Sequence, residues 1–167
     1  MLTKKFFAIA VFCLLAPAAF AEKIGVLNPQ AAIMGSDIAK KAMRDLEENK
    51  EYAALVAKAE NLRADLQSLA KEAETKGMTW SVDERAAHQK KIEYVNADFQ
   101  LAGQKIQAER KAMSDKVVRE VQPKLEKVIE EVVKKDKLDV VLNAQAVFFA
   151  SEKVDITKKV VEALNKK

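Results

Sequence analysis

Apolar side chains recur at alternating steps of four and three along two long stretches of the chain. They are Leu55, Ala59, Leu62, Leu66, Leu69 and Ala73 in the first, and Ile92, Val95, Phe99, Ala102 and Ile106 in the second. This spacing draws one narrow stripe on a helix whose remaining faces are charged, the seam of a two-helix coiled coil. The helical pattern spans Ala39 to Ala73 and Ile92 to Val132, with Gly77-Met78-Thr79-Trp80-Ser81 between. Gly77 suits the C′ position that ends a helix, and Ser81-Val82-Asp83-Glu84 has the form of a capping box that starts the next. Two long helices joined so tightly fold back on one another, and about 40 residues at 1.5 Å each reach roughly 60 Å. The pattern predicts an antiparallel prong standing out in solvent.

The chain ends follow another rhythm. Lys23 to Leu27 reads as a short strand stopped by Asn28-Pro29, with Asn28 as N-cap and Pro29 at the first position of a short helix. Leu138 to Leu142 and Ala146 to Ala150 read as two further strands, rich in β-branched and aromatic residues, joined by Asn143-Ala144-Gln145. Asp155 is placed to cap a last helix with Ile156, Val160 and Leu164 on one face. Strands from both termini must meet, so the prong is an insertion in a small α+β body. A sheet of about three short, wholly apolar strands needs cover on both faces, which self-association supplies most simply. Pro123 lies inside the second long stretch, where it should bend or interrupt the helix and mark the root of the prong. Beyond it the stripe widens to Leu125, Val128, Ile129, Val132 and Val133, suited to packing on a body. Gly103 marks either a flexible point or a close helix contact.

Upstream of all this, Lys4 and Lys5 precede an apolar run from Phe6 to Leu15 and then Ala19-Phe20-Ala21. That is the pattern of a Sec signal peptide at residues 1–21, cleaved between Ala21 and Glu22; the run is too short to span a bilayer. Phe12 before Cys13 argues against a lipoprotein site. Cleavage would remove Cys13, the chain's one cysteine, so stability rests on packing without disulfides although export leads to an oxidising compartment.

Charge excludes more than it suggests. The 29 basic residues against 25 acidic ones become 27 against 25 once Lys4 and Lys5 leave, too small an excess for a general polyanion binder or a nucleic-acid protein. Lys105, Arg110, Lys111, Lys116 and Arg119 do form a local basic excess, able to attract acidic clients, lipopolysaccharide or an anionic membrane surface. Pairs such as Glu72 with Lys76, Glu120 with Lys124 and Glu130 with Lys134 fit support of a solvated helix face. One histidine, His88, no cysteine after residue 21 and four scattered glycines provide no catalytic constellation, metal site or phosphate loop, so neither an enzyme nor a cofactor is expected.

The sequence Lys23-Ile24-Gly25-Val26-Leu27-Asn28, the run from Leu138 to Ser151 and the end from Asp155 to Lys167, together with the signal peptide and the charged hairpin, resemble the periplasmic OmpH/Skp chaperones. The resemblance covers essentially all of the chain after the leader, and its specific part is the two ends. It implies a homotrimer whose strands form a central β-body and whose hairpins project like tentacles around a cavity for unfolded outer-membrane proteins, working without ATP. On that reading residues 22–36 and 124–167 are the body and residues 37–123 the tentacle, with its tip near 77–81. Ile24, Val26, Val140, Leu142, Val147 and Phe149 would join protomers. Off-seam apolar residues Met78, Trp80, Tyr94, Leu101 and Val118 are candidate client contacts, acting as an ensemble of weak, adaptable contacts. A structural coiled-coil spacer or adaptor that binds one folded partner is the competing class.

Overall fold

The computed structural model describes residues 22–166; the leader at residues 1–21, with Cys13 and the proposed cleavage site, lies outside them. The order of elements is β1 (Ile24–Leu27), α1 (Pro29–Met34), α2 (Asp37–Glu47), α3 (Lys50–Lys76), α4 (Val82–Asp136), β2 (Val140–Asn143) and α5 (Thr157–Leu164). An α+β fold with a small sheet drawn from both ends and a long helical hairpin inserted between them is therefore present.

The seam forms as its spacing requires. Every one of its eleven apolar positions is buried or half-buried between α3 and α4, with Leu69 and Ala102 fully covered. At the tip, Ser81 Oγ accepts from Glu84 N–H at 3.2 Å while the Glu84 carboxylate accepts from Ser81 N–H at 2.7 Å, completing the capping box. Gly77 departs from expectation. Its φ of −58° is right-handed, because the chain leaves α3 by tightening into a 3-10 turn over Gly77–Thr79 rather than by a left-handed cap.

The first helical stretch is two helices, not one. Asn49 accepts through Oδ1 from Glu51 N–H at 2.9 Å and Tyr52 N–H at 3.0 Å, which starts α3 anew after α2 has ended. The second stretch does the reverse. α4 continues through Pro123 for 55 residues, about 80 Å at the helical rise, so the proline does not interrupt it. Val117, Val121 and Val128, on both sides of Pro123, are each at most 1% exposed and anchor this length of α4 in the body core with Ala32, Val160 and Leu164. Packing on both sides holds the helix across the missing hydrogen bond.

β1 and β2 pair in parallel, Ile24 against Val140 through Leu27 against Asn143. The other edge of β1 is occupied as well. Val26 N–H donates to Val154 O at 2.7 Å and Ile156 N–H donates to Val26 O at 2.9 Å. β2 begins later than the apolar run, since Lys137 takes a left-handed φ of 53° and Leu138 N–H closes α4 on Val133 O at 3.0 Å.

The strand expected at Ala146 to Ala150 is absent. Asn143 Oδ1 accepts from Gln145 N–H and winds Ala144–Ala146 into a 3-10 turn, and Val147 to Ala150 form no strand. With both edges of β1 filled, a third strand has only the outer edge of β2 to join, and the 3-10 turn leads away from it. The sheet within one chain thus has two strands rather than three.

α1 and α5 close the body as anticipated. Asn28 Oδ1 caps α1 through Ala31 N–H at 3.0 Å with Pro29 at its start, whereas Asp155 stands one residue before the cap of α5: its Oδ1 accepts from Thr157 N–H at 2.8 Å, and the cap residue is Ile156, which makes no side-chain cap bond. Ile156, Val160 and Leu164 are buried on one face. Gly25 sits in close approach to its neighbours, as a Cβ there would lie 3.0 Å from Leu138 Cδ1 and 3.2 Å from Ile156 Cδ1 and would press on both side-chain ends.

Candidate functional site

The residues singled out in the sequence fall at three places. The tip of the prong carries Met78, 94% exposed, and Trp80, half-buried. The Trp80 ring leans on the imidazole of His88 with 4.3 Å between centroids and 42° between planes. His88 Nε2 is covered without a hydrogen-bond partner. Its position one turn and more into α4, where the chain returns beneath the 3-10 turn, makes His88 a packing partner of Trp80. Val82 at 83% exposure extends this apolar tip; in the sequence it is masked by its place inside the capping box.

Along the prong, Tyr94 at 74% and Leu101 at 48% stand off the seam and face solvent. Val118 does not. It is half-buried against the body core, since the seam side of α4 has by then widened into the face that packs on the body. The basic residues Lys105, Arg110, Lys111, Lys116 and Arg119 are all exposed, but two are engaged: Arg110 Nε donates to Tyr52 Oη at 2.7 Å and Lys111 pairs with Asp115 at 3.1 Å. Glu72 with Lys76 and Glu130 with Lys134 close at 3.4 Å and 3.9 Å as helix-face pairs, worth little singly at such exposure.

The third place is the sheet. Ile24, Val140 and Leu142 are each about two-fifths exposed, Val147 is half-buried and Phe149 is 82% exposed. Val26 turns inward and is covered within the chain, at 5%. Phe148, which the expected strand would put on the face opposite Phe149, is wholly exposed. The signal for both is the same adjacent pair of aromatic residues, and only the loss of the third strand puts both in solvent. Exposed aromatic and β-branched side chains beside an open strand edge form a surface that apolar burial would reward.

Enclosed chemistry is missing from this picture. A cleft of about 490 Å³ between α4 and α5 is lined by Glu131, Lys135, Asp136, Lys159 and Glu162 among others, and Lys159 Nζ donates to Asp136 Oδ2 across it at 2.6 Å. That bond, helped by the charges of Lys159, Lys135 and Lys23, holds the Asp136 carboxyl below its ordinary range. Among the described residues no group of three histidine, cysteine or acidic side chains converges as a metal site. What the geometry provides is surface: an apolar tip, scattered apolar and cationic side chains along the prong, and an open strand edge at its base.

Comparison with known proteins places these features in context. A family model described as outer membrane protein (OmpH-like) matches residues 23–164. A Skp-like protein of Pseudomonas aeruginosa is 32% identical over 162 residues, 96% of this chain and 95% of its own length. An uncharacterized protein of Aquifex aeolicus is 27% identical over 98% of this chain and 97% of its own. A solved structure of an OmpH-like outer membrane chaperone from Caulobacter crescentus superposes with a TM-score of 0.49, at 22% identity, covering 99% of this chain and 91% of that one.

Proposed function

We infer, since this chain belongs to the OmpH-like family of outer membrane proteins, that it is a periplasmic holdase: without ATP, it binds unfolded outer-membrane β-barrel proteins, prevents their aggregation and aids their delivery to outer-membrane assembly. Residues 22–36 and 124–167 form the body and residues 37–123 the tentacle, whose root, α2 and the turn of α4 with Val117 and Val121, is packed into the body core so that its free length begins beyond Asn49. Three chains join through the open sheet, and their prongs surround the client. The single observation that carries this reading is the prong itself. A helical pair is extended into solvent and presents Met78, Val82, Tyr94 and Leu101 to it. Partial burial of client apolar surface on many weak contacts retains a chain without a single tight site, and the exposed cations add long-range attraction for acidic segments or lipopolysaccharide.

The competing reading is a coiled-coil spacer bound to one folded partner. One experiment separates the two. An unfolded outer-membrane β-barrel protein is diluted from urea with purified Glu22 to Lys167, aggregation is followed by light scattering, and the mass of any complex is taken by multi-angle scattering. Suppressed aggregation with one client per trimer supports the holdase; aggregation unchanged at several-fold excess transfers the assignment to the spacer.

A further inference from the structure

The two rails of the prong are built differently. α4 is unbroken, whereas the facing rail is cut at Glu48 and Asn49. Glu48 N–H donates to Arg44 O at 2.9 Å and Asn49 N–H to Leu46 O at 3.2 Å, closing α2. Asn49 Oδ1 then takes the first amides of α3. Both helix ends are capped, so the cut is a formed junction and not a frayed stretch of one helix. Its location is telling: α2 packs on the body through Ala39, with Ile38 and Ala42 beside it, while the main partner of α3 is the outer length of α4. The junction thus divides the part of the rail fixed to the body from the part that is free of it.

Two unbroken helices side by side resist bending together, because one must stretch while the other shortens. When one rail is cut, the bend is taken up at the cut, where residues at element ends absorb the change in φ and ψ. Three residues beyond the cut stands Tyr52. It is 6% exposed, against 74% for the other tyrosine, and its hydroxyl accepts from Arg110 Nε at 2.7 Å on α4. A second polar link between these rails, Lys58 to Asp98, is an exposed pair at 3.9 Å. Clefts of about 460 Å³ and about 320 Å³ flank the Tyr52 ring, the first beside Asn49, Leu55 and Lys105, the second beside Glu47, Val56 and Glu60. The buried ring thus stands between two open surface grooves.

We propose that Glu48 and Asn49 are a hinge between body and prong, and that the Tyr52–Arg110 hydrogen bond is the latch that holds one prong angle. The inference concerns the chain's own geometry and stands whatever the prong carries.

The test reads that angle. In a Cys13→Ser background, spin labels are placed at Met78→Cys on the tip and Lys158→Cys on α5, and labelled chains are diluted into unlabelled ones so that pulsed EPR records distances within a chain. Tyr52→Phe keeps the buried ring and removes the bond; Arg110→Gln leaves the tyrosine untouched. Each is expected to widen the tip-to-body distance distribution. Amide hydrogen exchange at residues 50–56 should quicken about tenfold, in keeping with one lost charge-assisted hydrogen bond, while amides 62–73 in the seam keep their protection. A distribution as narrow as the parent's in either folded variant overturns the latch. Equal loss of protection along the whole of α3 overturns the hinge, since it would mean a loosened prong and not a localised joint. Should Tyr52→Phe fail to fold, Arg110→Gln decides alone.

Discussion

Gly103 shows how a single residue reads differently in sequence and in space. A glycine in mid-helix suggests either a flexible point or close helix contact, and the second is ruled out because a Cβ there meets nothing within 4 Å. Gly103→Ala is therefore expected to stabilise the protein by about 1 kcal/mol, the helix-propensity difference, seen as a higher melting temperature with unchanged helix content. Gly25 is the opposite case, where a methyl group would press on the side-chain ends of Leu138 and Ile156. At Asp136 the relevant quantity is charge. Its hydrogen bond from Lys159 lowers the folded-state pKa, so the stability it contributes is complete above the unfolded-state value and fades as pH falls through the folded one. The melting temperature of Asp136→Asn should accordingly lie below the parent's at neutral pH, with the gap closing as pH drops through and below the carboxylate range. A gap that persists at the acid end would assign the loss to packing instead.

Among elements, α4 and the α2–α3 rail illustrate two outcomes of the same local rules. Pro123 breaks the hydrogen-bond ladder of α4, yet the helix runs on because Val117, Val121, Leu125 and Val128 are all buried in one core. Tertiary burial outweighs a local penalty of about 3 kcal/mol. Pro123→Ala should then stabilise the protein by roughly 1 to 3 kcal/mol, measured by urea denaturation, and leave the fold unchanged. At Asn49 nothing outweighs the local preference: its side chain competes successfully for the amides of Glu51 and Tyr52, as short polar side chains do at helix starts. The helical pattern runs past this point without a sign of it, because the counted seam begins only at Leu55. Read alone, the sequence merges two helices here, and in α4 it predicts a bend or an interruption, of which packing prevents the interruption.

For the molecule as a whole, the question is what covers the open sheet. Ile24, Val140 and Leu142 are each about two-fifths exposed, and Phe148 and Phe149 stand in solvent. If chains join there, Val140→Asp places an unpaired carboxylate in the interface, and the protein should fall from trimer to monomer by multi-angle light scattering with its helical spectrum retained. An unchanged trimer mass would move the interface elsewhere on the body.

The sequence by itself determined the elements whose physics is local. Period and capping act over three or four residues, so the order of residues alone carries the seam from Leu55 to Ala73 and from Ile92 to Ile106, the box at Ser81 and Glu84, the Asn28-Pro29 start and the face of Ile156, Val160 and Leu164. Membership in a family is legible too, from the two chain ends. Tertiary structure alone decided what depends on distant partners: that both edges of β1 are taken, that Val26 turns inward and Val118 packs on the body, that the Ala146 to Ala150 run finds no ladder, and that Tyr52 meets Arg110 58 positions away. Such contacts join residues far apart in the chain, and no local spacing specifies them.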